Sequence, residues 1–471
     1  MRRPLLGSGA LTLVLGACAS VQPAALSPLD DPSLAGAQWG IAVARLDGAP
    51  LLMKDANQRF LPASNVKIFT TAAAIARLAP LEKWSPGTRA HLEAATEDGR
   101  PDVVLVGGGD PALSDDTDCA PACLADLARA LARQGVTTVN NVIGDTSLFP
   151  DEPHPPGWSW DDLQWRYGAQ VSALTFNGNT AGLTIIPGEA VGSSAEVLFP
   201  GDLGMAIENR LMTQFEESGD YTVRRPIGSD TVILSGDIPR DTPPREIGLA
   251  LSDPAFAAAS RFKRALEAEG VAVLGTVTTR SEPSPASPAI SNAVVLAPSP
   301  LEPALEAVMI DSDNLIAELM LRHLGSLEGA PTTEGGLAVL DAILAEAGIS
   351  AAEYDFSDAS GLSIYNRITP AATLRFLLWT QRQPWGEHFL ATFPTGGRDG
   401  TLEQRFTGTS LEGRIRAKTG TLFGANTLSG FLDTSRGDTL AFSVMVNDRD
   451  AEAGSAREEI DAVLLAIAAE N

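Results

Sequence analysis

The sequence predicts an α/β protein whose main domain is split by a large insertion. Strand and helix patterns open the chain, and the same mixture returns at its end. A run with three prolines in six positions, within Ser281-Glu282-Pro283-Ser284-Pro285-Ala286-Ser287-Pro288, excludes a regular element and reads as the return from an insertion. Between 182 and 245, short β-like runs such as Leu183-Thr184-Ile185-Ile186 and Thr231-Val232-Ile233-Leu234 alternate with Gly, Pro and Ser. That stretch reads as a small β-rich module inside the insertion.

Bulk properties narrow the function classes. The 471 residues suggest about three domains. With 44% apolar and 20% charged residues, the chain can bury large cores, which argues against disorder. A net charge of -25 disfavours nucleic acid and anionic membrane surfaces as partners. The four histidines, His91, His154, His323 and His388, form neither HExxH nor HxxEH, so no metal site is expected and no cofactor is called for. There is no G-x-S-x-G motif. A serine nucleophile here needs a base other than histidine, and Lys67 is the candidate.

Taken in order, residues 1–19 read as a secretory signal. Arg2 and Arg3 form a charged start, Leu5 to Leu15 a short apolar stretch, and small residues follow. The stretch is too short for an ordinary transmembrane helix. Leu15-Gly16-Ala17-Cys18 is similar to a lipoprotein box, which makes Cys18 a candidate lipid-anchor site; cleavage after Ala19 is the competing reading. Either reading exports the mature chain, free in the periplasm or anchored facing it. Residues 20–35, rich in Pro, Ala and Ser, read as a tether.

Trp39 to Leu46 and Pro50 to Met53 are strand-like, with Asp47-Gly48 as the tight turn between them. This hairpin feeds a helical run through Ile68 to Leu78. Near residue 85 the character changes. Val103 to Val106 is a buried-strand pattern ended by Gly107-Gly108-Gly109-Asp110-Pro111. Leu124 to Gln134 is helical, and Gly135 stops it. Val136 to Val139 and Val142 to Asp145 are short strands about an Asn140-Asn141 turn. Cys119 and Cys123 are either a local disulfide, which an oxidising compartment admits, or two unpaired small residues. Trp158, Trp160, Trp165 and Tyr167, with Asp161 and Asp162 among them, form either a packed loop or the wall of a binding cleft.

Ala255 to Glu269 reads as a helix and Val271 to Thr279 as a strand. Beyond the proline run, helical patterns cover Leu301 to Ile310, Leu315 to Leu324, Gly335 to Ala347 and Ala371 to Gln381. Strand patterns follow at Arg416 to Leu422, Thr427 to Asp433 and Thr439 to Val446. Ser455-x-x-Glu458 reads as a capping box opening a last helix to Ala469, in which Ile460, Val463, Leu464 and Ile467 share one face.

Three short motifs carry the function. Ser64 and Lys67 lie three residues apart in a helical run, on one face, so the amine can reach the hydroxyl. Alone, this pattern recurs by chance, and a surface helix explains it. Ser312-Asp313-Asn314, between two helical patterns, and Lys418-Thr419-Gly420, in a strand pattern, argue otherwise. S-x-x-K, S-D-N and K-T-G together are the signature of penicillin-binding proteins and class A β-lactamases.

With the trio placed, the chain resembles the D-alanyl-D-alanine carboxypeptidase/endopeptidase family, the class C low-molecular-mass penicillin-binding proteins. The wide gap between Ser64 and Ser312 exceeds what a class A β-lactamase needs and marks class C. Gly107-Gly108-Gly109-Asp110-Pro111, Ser172-Ala173-Leu174-Thr175-Phe176-Asn177 and Ser357-Asp358-Ala359-Ser360-Gly361-Leu362-Ser363 are supporting matches.

The resemblance implies a transpeptidase/β-lactamase-like catalytic domain at 36–84 and 291–471. An inserted domain would occupy 85–181 and 246–290, with the β-rich subdomain at 182–245 within it. It implies peptidoglycan peptides as substrate and β-lactam antibiotics as covalent inhibitors. Ser64 is the expected nucleophile and Lys67 its base, with a pKa lowered by burial or by the neighbouring charge of Lys418. Ser312 would pass a proton to the leaving amine, and Asn314 would bond the substrate amide. Asp313 is given no chemical role. Thr419, Gly420 and Thr421 would frame the substrate carboxylate, and Asp162 and Tyr167 the peptide's side chain. Ile364 and Phe423 offer an apolar face there. Two other readings remain: a β-lactamase or esterase using the same trio, and a non-catalytic wall-binding protein, against which the intact motifs argue.

Overall fold

The computed structural model describes residues 29, 34 and 36–471, apart from 82–83, 95–99, 117–118, 120–121, 216–218, 283–292 and 450–453. The expected signal segment, nearly all of the tether and most of the proline run lie outside the described residues.

The two ends of the chain build one five-stranded antiparallel sheet. Its order is Ile415–Leu422, Ala425–Asp433, Thr439–Asn447, Gln38–Arg45 and Pro50–Lys54. Side chains alternate across a strand, and here the alternation separates two cores. Ala42 and Ala44 pack with the helices Val66–Arg77, Leu301–Met309, Asn314–Ser326, Thr333–Glu346 and Pro370–Thr380. Ile41 and Val43 pack on the opposite face against the last helix, Arg457–Glu470, through the expected Ile460, Val463, Leu464 and Ile467. Fully burying a side chain of this size stabilises the fold by roughly 1.5–3 kcal/mol. The sheet is therefore held rigidly from both sides.

A second five-stranded sheet runs Val277–Arg280, Val142–Asp145, Asp102–Val106, Arg89–Glu93 and Val294–Val295. The helices Leu124–Arg133 and Pro254–Ala268 share its core. Two three-stranded sheets stack on one further core: Tyr221–Arg224, Thr231–Pro239 and Ala206–Gln214 in one, Arg245–Ala250, Thr180–Ile186 and Glu196–Leu198 in the other. Cys119 and Cys123 are joined by a disulfide. Among the described residues, no helix is long and apolar enough to cross a membrane.

Three expectations need correction. The single strand expected over Val271 to Thr279 is two, Ala272–Val273 and Val277–Arg280, in different sheets. Gly275 lies between them, where a Cβ would stand 2.3 Å from Asn141 Oδ1, so the chain passes too close to that turn to continue straight. Val294–Val295, expected in the domain of the chain ends, pairs with Arg89–Glu93 of the second sheet. Its hydrogen bonds, which composition cannot register, tie it there.

The third is the capping box, which does not form. The last helix starts at Arg457, and its N-cap residue, Ala456, has no side-chain cap. Asn426 does this work from a neighbouring strand: its Oδ1 accepts the Ala456 N–H at 2.8 Å and the Ser455 hydroxyl at 3.3 Å. Asn426→Ala should therefore cost about 1–2 kcal/mol in urea unfolding, as loss of a cap does. Ser455→Ala should cost less than about 0.5 kcal/mol. The reverse order would restore the capping box.

Candidate active site

Ser64 sits in a 3-10 turn, Ala63–Asn65, that runs straight into the helix Val66–Arg77. Ala63 has φ +49°, a left-handed conformation unusual for alanine, which swings the chain into the helix. Three contacts clamp this turn onto the strand Ile415–Leu422 and its neighbour. Asn65 Nδ2 donates to Lys418 O at 2.8 Å, and Thr427 Oγ1 donates to Pro62 O at 2.8 Å. Gly420 lies so near that a Cβ would be 2.8 Å from Pro62 O and 3.0 Å from Ala63 Cβ. The glycine of K-T-G is thus needed for close approach.

Lys67 is fully buried beneath Ser64. Its Nζ lies 3.1 Å from Ser64 Oγ and donates to Asn314 Oδ1 and the Ser360 carbonyl, each at 2.6 Å. A neutral amine has two N–H donors and one lone pair. The amide and carbonyl oxygens only accept, so they take the two donors. The lone pair is then left for the one partner that can donate, the Ser64 hydroxyl. Burial pushes Lys67 down to about 8, against the pull of Asp358, Asp313 and Glu318.

Lys418 is equally buried. Its Nζ donates to Ser312 Oγ at 2.8 Å and to Thr419 O at 3.1 Å. Burial holds it well below the usual lysine range, and the charge of Lys67 lowers it further. Of the two causes expected for the lowered Lys67, burial and the charge of Lys418, burial is the main one, and the repulsion between the two amines falls on Lys418, because the three carboxylates favour charge on Lys67.

Ser312 has φ +63°, and this turn delivers both of its neighbours. Asp313 caps the helix Asn314–Ser326, accepting the Ile316 N–H at 2.8 Å, which gives the middle residue of S-D-N a structural task. Asn314 then bridges two partners, accepting from Lys67 and donating through Nδ2 to Tyr167 O at 2.7 Å. Tyr167 donates its hydroxyl to Asp162 Oδ1 at 2.8 Å. Tyr167 thus touches the site through its backbone carbonyl, Asp162 only through the Tyr167 hydroxyl, and neither lines the crevice beside Ser64. That crevice, of about 320 Å³, is lined by Ser64, Ser312, Thr401, Arg405, Thr419, Thr421 and Arg457.

Sequence reasoning missed the support behind Lys67. Asp358, fully buried, accepts from Gly361 N, Ser363 N, Asn366 Nδ2, Ser360 Oγ and Trp158 Nε1, at 2.7–3.1 Å. Glu318 accepts from Ala359 N and Ser360 N at 3.0 and 2.9 Å, and burial pushes its carboxyl up to about 8. Together they fix the turn that aims the Ser360 carbonyl at Lys67. Gly361 (φ +83°) lets that turn touch the Ser64 turn, since a Cβ would lie 1.9 Å from Ala63 O. The available signal was a glutamate inside the apolar helix run Leu315-Ile316-Ala317-Glu318-Leu319-Met320. Of the aromatic cluster, Trp158 packs into this support, whereas Trp160 is exposed.

The family model for the D-Ala-D-Ala carboxypeptidase 3 (S13) family matches residues 24–467. The chain belongs to the S13 family. A D-alanyl-D-alanine carboxypeptidase of Actinomadura sp. (strain R39) is 32% identical over 462 residues, covering 93% of this chain and 83% of its own. The D-alanyl-D-alanine carboxypeptidase DacB of Haemophilus influenzae is 25% identical over 394 residues, 82% of this chain and 80% of its own. The crystal structure of penicillin binding protein 4 from Haemophilus influenzae superposes with a TM-score of 0.78 at 23% identity, over 92% of this chain and 96% of that one. At that identity the likeness establishes the fold, the α/β transpeptidase-like one.

In this S13 chain, Asp358→Ala leaves the buried N–H groups of Gly361 and Ser363 without acceptors. The expected cost is about 3 kcal/mol or more, read as a fall in melting temperature. An unchanged melting temperature would contradict the role given to Asp358.

Proposed function

We propose that this S13 carboxypeptidase hydrolyses D-alanyl-D-alanine ends of peptidoglycan peptides, and the D,D-cross-links between them, through an ester on Ser64. One observation carries the reading: a buried amine 3.1 Å from a serine hydroxyl, its two donors engaged by oxygens that only accept. Ser64 Oγ attacks the carbonyl of the penultimate D-alanine while its proton passes to Lys67. The backbone N–H groups of Ser64 and Thr421 would receive the developing oxyanion; loss of one such donor typically costs about 10²–10³ in rate. Ser312, bonded to Lys418, passes a proton to the leaving amine as the C–N bond breaks, and the proton taken up by Lys67 replaces it, so that Ser312 and Lys67 end as they began. Water then attacks the ester carbonyl and gives one of its protons to Ser64 Oγ as the ester C–O bond breaks.

Asn314 would orient the substrate amide, Thr419, Gly420 and Thr421 the carboxylate, and Asp162 with Tyr167 the peptide side chain. β-Lactam antibiotics, which present a reactive amide beside a carboxylate, would acylate Ser64. On the three-part division expected from the sequence, this work would belong to the domain formed by the two chain ends, 36–84 and 291–471. Export to the periplasm, with or without a lipid on Cys18, would bring the enzyme to the wall.

Two tests follow. Ser64→Ala should abolish D-alanine release from a D-Ala-D-Ala pentapeptide and capture of labelled penicillin; full release by this variant would overturn the mechanism. Penicillin that stays bound supports the peptidase, and rapid turnover supports a β-lactamase. The base must be neutral, and the neutral fraction of Lys67 grows as pH rises through about 8. Acylation should therefore quicken about fivefold from pH 7 to 8 and level off above about pH 9. A rate that falls over this range would remove Lys67 as the base.

A further inference from the structure

We propose that Arg457, at the start of the last helix, is the specificity-determining cation that reads the carboxylate beside the scissile bond. This role rests on the carboxypeptidase reading above. In a peptide ending in D-alanine, the terminal carboxylate stands only two bonded atoms, the amide nitrogen and one carbon, from the carbonyl that Ser64 attacks. The group that recognises it must therefore line the same small crevice as Ser64. Two guanidinium groups do so, Arg405 and Arg457, in a chain with 59 acidic and 34 basic residues.

They are not equivalent. Asp461 engages Arg405 through both carboxylate oxygens, one at 3.2 Å from Nε. Arg457 is exposed, makes no ion pair among the described residues, and donates through Nη2 to Thr421 Oγ1 at 3.3 Å. Asp461 feels the charge of both arginines but is bonded to Arg405.

Thr419 and Thr421 lie two apart on one strand, so their side chains share a face. Thr401 Oγ1 meets Thr419 Oγ1 at 2.9 Å across the crevice, and Arg457 meets Thr421. A carboxylate seated on the two threonine hydroxyls would thus reach the guanidinium. The Asn426 cap fixes where the helix begins, and with it the root of this side chain. Lys418 is a poor substitute: it is buried and already bonded to Ser312, and burial disfavours its charge. A guanidinium is a permanent cation with a fork that matches a carboxylate.

The test compares acylation by a penicillin with acylation by its methyl ester, and D-alanine release from a peptide with a free C-terminus with cleavage of its C-terminal amide. For Arg457→Ala, acylation by the acid should slow about 10-fold, and KM for the free peptide should rise about as much with kcat nearly constant. Rates on the ester and the amide should stay within about twofold of wild type. Arg457→Lys should recover part of the loss, since it restores the charge without the fork. Equal losses on acid and ester, or no loss on either, would overturn the role of Arg457 alone, provided the wild type is acylated. A wild type that neither compound acylates would overturn the carboxypeptidase reading, and this role with it.

Discussion

The whole arrangement depends on keeping an amine out of water within reach of a hydroxyl. Burying an ammonium without partners is far too costly, so burial drives Lys67 towards its neutral form, while the oxygens of Asn314 and Ser360 keep its nitrogen satisfied and aimed. The three nearby carboxylates limit the shift and leave the amine poised near the working pH. A base with pKa near the ambient pH is both deprotonated often enough and basic enough to help.

Much of the fold serves this one contact. The helix holding Lys67 packs on the sheet built by the chain ends, and that sheet carries Lys418. Asn314 arrives on a helix capped by Asp313, and the Ser360 carbonyl on a turn organised by Asp358 and Glu318. Three backbones meet there with no room for side chains, at Gly361 and Gly420 beside Ala63. Beside this crowding lies the crevice that Ser64 shares with Thr401, Thr419, Thr421 and Arg457.

What was legible in the sequence was periodic or locally patterned. The hairpin, the long helices and the C-terminal strands show as 2- and 3.6-residue periods, and S-x-x-K, S-D-N and K-T-G stand as short fixed strings. Contacts made across distant segments were not legible. Asn426 capping a helix 30 residues away looks, in sequence, like an ordinary strand residue. Glu318 reads as one polar position in an apolar helix, and only its meeting with Ala359 and Ser360 explains it. Arg405, Arg457 and Thr401 belong to no string at all and become neighbours of Ser64 only through folding. The local pattern at Ser455 pointed to a cap that tertiary contacts replaced.

The most direct test is a titration of Lys67 itself, following the Cε signal in protein carrying ¹³C-labelled lysine and assigning it with Lys67→Arg. A midpoint near 8 would agree with a buried amine held by Asn314 and Ser360. A midpoint near 10.5, the ordinary lysine value, would mean that the amine is solvated and charged, and Ser64 would be left without its base.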